Sequence, residues 1–104
     1  MKTLRILYAH FADECQGVEE YIGDAFTVKR EDPELAKAYA EMAKAEFGHA
    51  SKIHEHMVRI VKELCDCDQM PLVVLDIWDD LHGKMVKDLN KAKNYLDMYA
   101  YAAK

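Results

Sequence analysis

The chain has 104 residues, of which 51% are hydrophobic and 32% are charged, a balance typical of one globular domain over residues 1–104 rather than of a disordered segment. With 14 basic and 19 acidic residues and a formal net charge of −5, the composition argues against nonspecific nucleic-acid binding. No run of about 18 apolar residues occurs and charged residues soon interrupt the short apolar start, so the sequence predicts no membrane span, no secretory signal and a cytoplasmic location.

The first predicted helix covers residues 3–29. Apolar side chains recur along it every three or four positions, which places them on one face of a helix. This stripe consists of Leu4, Leu7, Phe11, Cys15, Val18, Ile22 and Phe26. Glu14 lies at the edge of the stripe, and Tyr21 follows two helical turns later in nearly the same direction. The helix therefore carries an acid and a phenol beside its core face.

The second predicted helix, residues 33–64, opens with a clear start signal. Asp32 is a capping residue, Pro33 suits the first helical position, and Glu34 places a negative charge near the positive end of the helix dipole. The predicted core stripe consists of Leu35, Tyr39, Met42, Ile53, Met57, Ile60 and Leu64.

Glu46 is the unexpected member of this second helix. At about 100° per residue it falls near the middle of the apolar stripe, and His49 falls about one position to its side. Burying an unpaired carboxylate costs several kcal/mol, so Glu46 should be protonated, hydrogen-bonded, ion-paired or bound to a metal. A Glu and a His three residues apart share one helix face.

The third predicted helix, residues 71–102, follows a turn at residues 65–70. Its stripe consists of Val74, Trp78, Leu81, Met85, Leu89, Ala92, Leu96 and Tyr99. Short connections between three long helices predict an all-α, antiparallel bundle. All four glycines (Gly17, Gly23, Gly48 and Gly83) fall inside predicted helices, where they are either tolerated or mark a close approach between helices. The three cysteines, without a secretory signal, indicate reduced thiols.

The pairs Glu14-x6-Tyr21 and Glu46-x2-His49 resemble the ferritin-like superfamily, and the stretch 45–50 is similar to its rubrerythrin branch. In that family the first-helix Glu, a bridging Glu and the His hold one iron of a pair. The resemblance, which covers about residues 4–64, implies that Glu14, Glu46 and His49 are metal ligands. It implies that Tyr21 is a hydrogen-bond partner that orients a ligand or passes an electron. Such carboxylate and imidazole donors suit iron or manganese, and zinc can also bind them.

The chain departs from the family pattern in its last third. A complete ferritin-like bundle repeats the ligand set, but residues 71–104 contain no glutamate. His82, three residues after Asp79, is the nearest substitute ligand, and His56 extends the polar track of the second helix by one heptad.

Two interpretations of this half-set remain open. In the first, the chain is a half-bundle completed by a homodimer or larger homo-oligomer, as in the encapsulated ferritins. The implied function is then a di-iron or related metal site between subunits, with ferroxidase-type oxidation of ferrous iron. In the second, the protein is a small helical interaction or scaffold protein, and Glu46 is merely hydrogen-bonded in a metal-free site.

Overall fold

Three helices make up the computed structural model, which describes residues 2–69 and 71–103. They are α1 (Lys2–Val28), α2 (Pro33–Asp66) and α3 (Leu72–Ala102), and these described residues contain no strand. The predicted all-α class is confirmed, and each described boundary lies within two residues of the predicted one. Met70, in the predicted second turn, lies outside the described residues. No helix in the described part of the chain is long and apolar enough to cross a membrane.

The start of α2 follows its sequence signal. The Asp32 Oδ1 atom accepts a hydrogen bond of 3.0 Å from the backbone N–H of Leu35, with Pro33 in the first helical turn. This bond satisfies one of the backbone donors that a helix leaves unpaired at its beginning. At the other end, Asp68 has a φ of 55°, a left-handed conformation that Asp tolerates better than most residues. It turns the chain out of α2.

Contacts between pairs of helices show how each helix runs along its neighbours. In three side-chain contacts between α1 and α2, residue numbers rise along α1 while they fall along α2: Phe11 with His54, Glu14 with His49, and Tyr21 with Tyr39. In three contacts between α1 and α3, residue numbers rise along both helices: Tyr8 with Lys84, Glu19 with Tyr95, and Phe26 with Tyr99. Contacts so spread along the helices hold all three together over most of their length.

The buried face of α2 is made largely of alanine. Its buried residues are Ala36, Ala40, Ala43, Ala50, Met57 and Val61. Small side chains let neighbouring helices approach closely, so they line the contact even though their own hydrophobicity is low. The predicted stripe is therefore only partly correct: Met57 is buried, but Leu35 is 38% exposed and Met42 is 39% exposed. Phe26 of the α1 stripe is also exposed.

One side of α2 is only partly covered by the other described helices. We define the open face as Leu35, Tyr39, Met42, Glu46, His49 and Ile53, all of them half-buried or exposed. At about 100° per residue these positions lie to one side of the buried alanines. The other side of those alanines meets α3, through His54 and along a groove bordered by Ala36 and Ala40.

The protein is long and thin. Its Cα atoms extend over 56 × 18 × 15 Å, with a radius of gyration of 16.5 Å. A compact domain of this length has a radius of gyration of about 13 Å. A helix with its side chains is about 10–12 Å across, so the protein is little more than one helix pair thick. The interior is correspondingly small, and several large apolar side chains stay partly exposed.

Candidate metal centre

Glu14, Glu46 and His49 come together where α1 crosses the middle of α2. Each offers one ligand atom, and these atoms all lie within 4.8 Å of one another. Glu46 and His49 share a face because they are three residues apart on one helix. The pairing of α1 with α2 places Glu14 opposite them. Among the described residues, this is the one group of three or more acidic, His or Cys side chains that meets this spacing.

The distance between Glu14 and His49 is informative. The Glu14 Oε2 atom lies 3.4 Å from His49 Nδ1, which is longer than a well-formed hydrogen bond of about 2.7–3.2 Å. Two ligand atoms bound about 2.1 Å from one ion at a tetrahedral angle would also be about 3.4 Å apart. The side chains are 25% and 61% exposed, respectively, so the cluster is open on its His49 side. The separation therefore fits either a long hydrogen bond or two ligands of one ion, and the cluster has room for further ligands.

The carboxyl groups of Glu46 and Glu14 interact with each other. A hydrogen bond to Glu14, followed by partial burial and the negative charge of Glu14, raises the pKa of Glu46, while the nearby His49 opposes this shift. The neighbouring carboxyl group and partial burial thus make Glu46 a weaker acid than an exposed glutamate. Glu46 is only half-buried, so the sequence expectation of a carboxylate in the middle of a buried stripe is met in part.

Gly17 contributes to the cluster by having no side chain. A Cβ atom built at this position would lie 2.7 Å from Oε2 of Glu46, closer than real Cβ contacts come. The Glu46 carboxylate therefore rests against the backbone of α1. Sequence reasoning left the role of this glycine open; the available signal was a helix-interior glycine three residues after Glu14.

The remaining predicted site residues lie apart from this group. The ring of Tyr21 stacks on Tyr39 with centroids 6.0 Å apart, and no hydrogen bond from its hydroxyl is found among the described residues. His56 is exposed, with Nδ1 3.3 Å from Nη2 of Arg59. His82 stacks on Trp78 with centroids 5.3 Å apart. Neither histidine belongs to the cluster.

His54 of α2 lies between helices, beside side chains of both α1 and α3. Its ring stacks almost parallel on His82, with centroids 5.0 Å apart and an interplanar angle of 7°, and it also contacts Phe11. Its Nε2 atom is buried and has no hydrogen-bond partner among the residues that the structure describes. Burial, with a smaller contribution from His82, lowers the pKa of His54, so its ring stays neutral near pH 7.

We expect this lowered pKa to make the protein less stable in mild acid. The unfolded chain binds a proton on His54 near its ordinary pKa of 6.5, whereas the folded protein binds it only at lower pH. The stability contributed by the neutral His54 ring is therefore fully present above pH 6.5. It is lost as the pH falls from 6.5 toward the pKa of His54 in the folded protein. Denaturant unfolding at pH 7 and pH 5 should show a larger acid loss for the native protein than for His54→Gln. Equal losses in both proteins would contradict this.

Cys15, which follows Glu14 in the sequence, has a partly buried thiol that holds its proton tightly. Burial, with the charges of Asp88 and Glu14 adding to it, raises the pKa of its thiol to about 11. Cys15 therefore stays protonated at neutral pH, while Cys67, beyond the end of α2, is exposed.

Comparisons with protein-family models, with curated proteins and with solved structures found no match to this chain.

Proposed function

We propose that this protein binds iron, or a related divalent metal, through Glu14, Glu46 and His49. We further propose that two copies join in an antiparallel bundle to form a di-iron site that oxidises ferrous iron. The observation that carries the proposal is the convergence of one ligand atom from each of the three side chains within 4.8 Å.

The donor set supports iron. Two carboxylates and one imidazole are hard and intermediate ligands that suit iron and manganese, and they also accept zinc. Three protein ligands leave coordination positions free, and the exposed side of His49 keeps the cluster open to small molecules. Two ferrous ions held in this way would each give up one electron and together reduce one dioxygen, with two protons, to hydrogen peroxide, so that ferrous iron is the substrate and ferric iron the product.

The open face supports completion by a second copy. It carries Leu35, Met42 and Ile53 along the same side of α2 as Glu46 and His49. An isologous contact through this face would place two clusters opposite each other. Two chains would supply four carboxylates, whose charge two divalent cations balance. The Tyr21 ring, stacked on Tyr39 of the open face, would then lie near this contact.

The decisive experiment measures metal uptake. Protein purified without chelators is titrated anaerobically with Fe(II), and in parallel with Mn(II) and Zn(II), while bound metal is determined by elemental analysis. We expect one metal per chain and a rise in the melting temperature with metal concentration, because a ligand that binds only the folded state stabilises it. Admission of air to the iron-loaded protein should oxidise Fe(II) faster than buffer alone.

Glu46→Gln is the test variant, because it keeps the shape of the side chain and removes its charge. We expect its metal affinity to fall at least about tenfold, equivalent to about 1.4 kcal/mol. Glu55→Gln is the matched control, an exposed glutamate on the same helix that lies outside the cluster. Wild-type protein that takes up none of the three metals, or equal uptake by Glu46→Gln, would refute the proposed site.

A second candidate function, a metal-free interaction or scaffold protein, is favoured by a separate observation. Leu72, Val73 and Ile77 at the beginning of α3 are 81%, 66% and 61% exposed, and apolar side chains grouped in this way mark contact surfaces. Under this alternative, hydrogen bonding among Glu14, Glu46 and His49 satisfies the cluster without a cation. The absence of metal uptake, together with stable self-association, would support it.

A further inference from the structure

We infer that Gly17 is a positioning residue for the metal centre, an inference that rests on the proposed function. The space left by its missing side chain holds the Glu46 carboxylate beside Glu14 and His49. A side chain at position 17 would displace this ligand and leave the helices in place.

The geometry of the contact separates these two effects. A Cβ atom at position 17 would lie 2.7 Å from Oε2 of Glu46 and 3.3 Å from its Cγ and Cδ atoms. All three are atoms of a long side chain that can rotate away. The spacing of α1 and α2 is set by other residues, such as Ala43 and Ala50, which are fully buried. The clash is therefore relieved by moving the carboxylate.

The chain provides matched controls for this contact. A Cβ atom at Gly23 or Gly48 would meet nothing within 4 Å. Gly23 is exposed on the same helix as Gly17, six residues further along, and Gly48 is exposed immediately before His49. Alanine at these positions tests the general effect of removing a helix glycine without touching the Glu46 carboxylate.

Gly17→Ala should change metal binding and stability in opposite directions. Alanine favours the helix over glycine, so a purely conformational effect raises the melting temperature. We expect the affinity for Zn(II), measured by isothermal titration, to fall at least about tenfold in Gly17→Ala and to change less than about twofold in Gly23→Ala. A glycine needed only for packing would instead lower the melting temperature while leaving the affinity of the folded protein unchanged.

A second measurement uses the metal-free protein. Gly23→Ala should raise the melting temperature by about 4–8 °C. Gly17→Ala should raise it by less, because the cost of moving the Glu46 carboxylate offsets part of the stabilisation that alanine gives the helix. In a Glu46→Ala background the clash is absent, and the two glycine substitutions should give equal gains. This coupling between positions 17 and 46 reports their contact independently of any metal.

The possible results separate the role of Gly17 from the proposed metal-binding function. Metal uptake by the wild type with unchanged affinity in Gly17→Ala overturns the role of Gly17 and leaves the proposed centre standing. No uptake by the wild type overturns both. Equal gains from Gly17→Ala in the presence and absence of Glu46 also overturn the inference, since no contact would then exist to position the carboxylate.

Discussion

Replacement of Phe11 by alanine is expected to lower the free energy of unfolding by about 3–5 kcal/mol. Phe11 is fully buried, and its ring lies 6.4 Å from that of Tyr8 and 6.3 Å from that of His54. It fills the contact where all three helices meet, and in so thin a protein few neighbours can close the cavity left behind. Such a loss is a large share of the stability of a small domain.

Phe26→Ala is the matched control for this prediction. The Phe26 side chain is 42% exposed and makes an edge contact with Tyr99, with centroids 5.1 Å apart. Because less apolar surface is buried, the loss should be below about 2 kcal/mol. Denaturant unfolding followed by circular dichroism measures both. Similar losses for the two phenylalanines would show that Phe11 is not the centre of the core.

Met42→Arg is expected to disrupt the proposed self-association and to weaken metal binding at the site that two copies would share. Met42 lies on the open face, one helical turn before Glu46, and the proposed assembly would bury it. Two unpaired guanidinium groups in that contact should raise the dissociation constant of the dimer at least about 100-fold, equivalent to about 2.7 kcal/mol. The folded monomer should survive, because Met42 is already 39% exposed.

Val58→Arg provides the comparison, since Val58 is also 39% exposed and lies on the same helix. At about 100° per residue the two side chains point in nearly opposite directions. Sedimentation velocity and metal analysis of both variants separate a specific effect of the open face from the general effect of an added charge. If Met42→Arg sediments and binds metal like Val58→Arg, the second copy does not meet the chain at this face.

The sequence predicted the three helices because their signals are local. Proline and aspartate mark the start of α2, and apolar spacing of three to four residues runs through each helix. The sequence did not predict which side of α2 packs against α1. Leucine and methionine dominate a hydropathy pattern, yet the contact with α1 uses alanines, which let the two backbones approach closely and contribute little hydrophobicity.

The candidate site was predictable in part for the same reason. The positions of Glu14, Glu46 and His49 follow from helical spacing and from the pairing of two long helices, and the structure brings these side chains together. The contribution of Gly17 depends on where the end of one flexible side chain rests. The stacking of His54 on His82 depends on how α3 lies against α2. Neither can be read from spacing along one helix, and metal binding itself stays a prediction.

The protonated thiol of Cys15 has a consequence for durability under oxidation. Chemistry between ferrous iron and dioxygen generates peroxide, which attacks thiolates much faster than thiols. Cys15 directly follows the proposed ligand Glu14 in the chain, yet its pKa of about 11 keeps almost all of it in the less vulnerable form. If the neighbouring residues hold iron as proposed, desolvation and the acidic groups around Cys15 would thus slow its oxidation by peroxide.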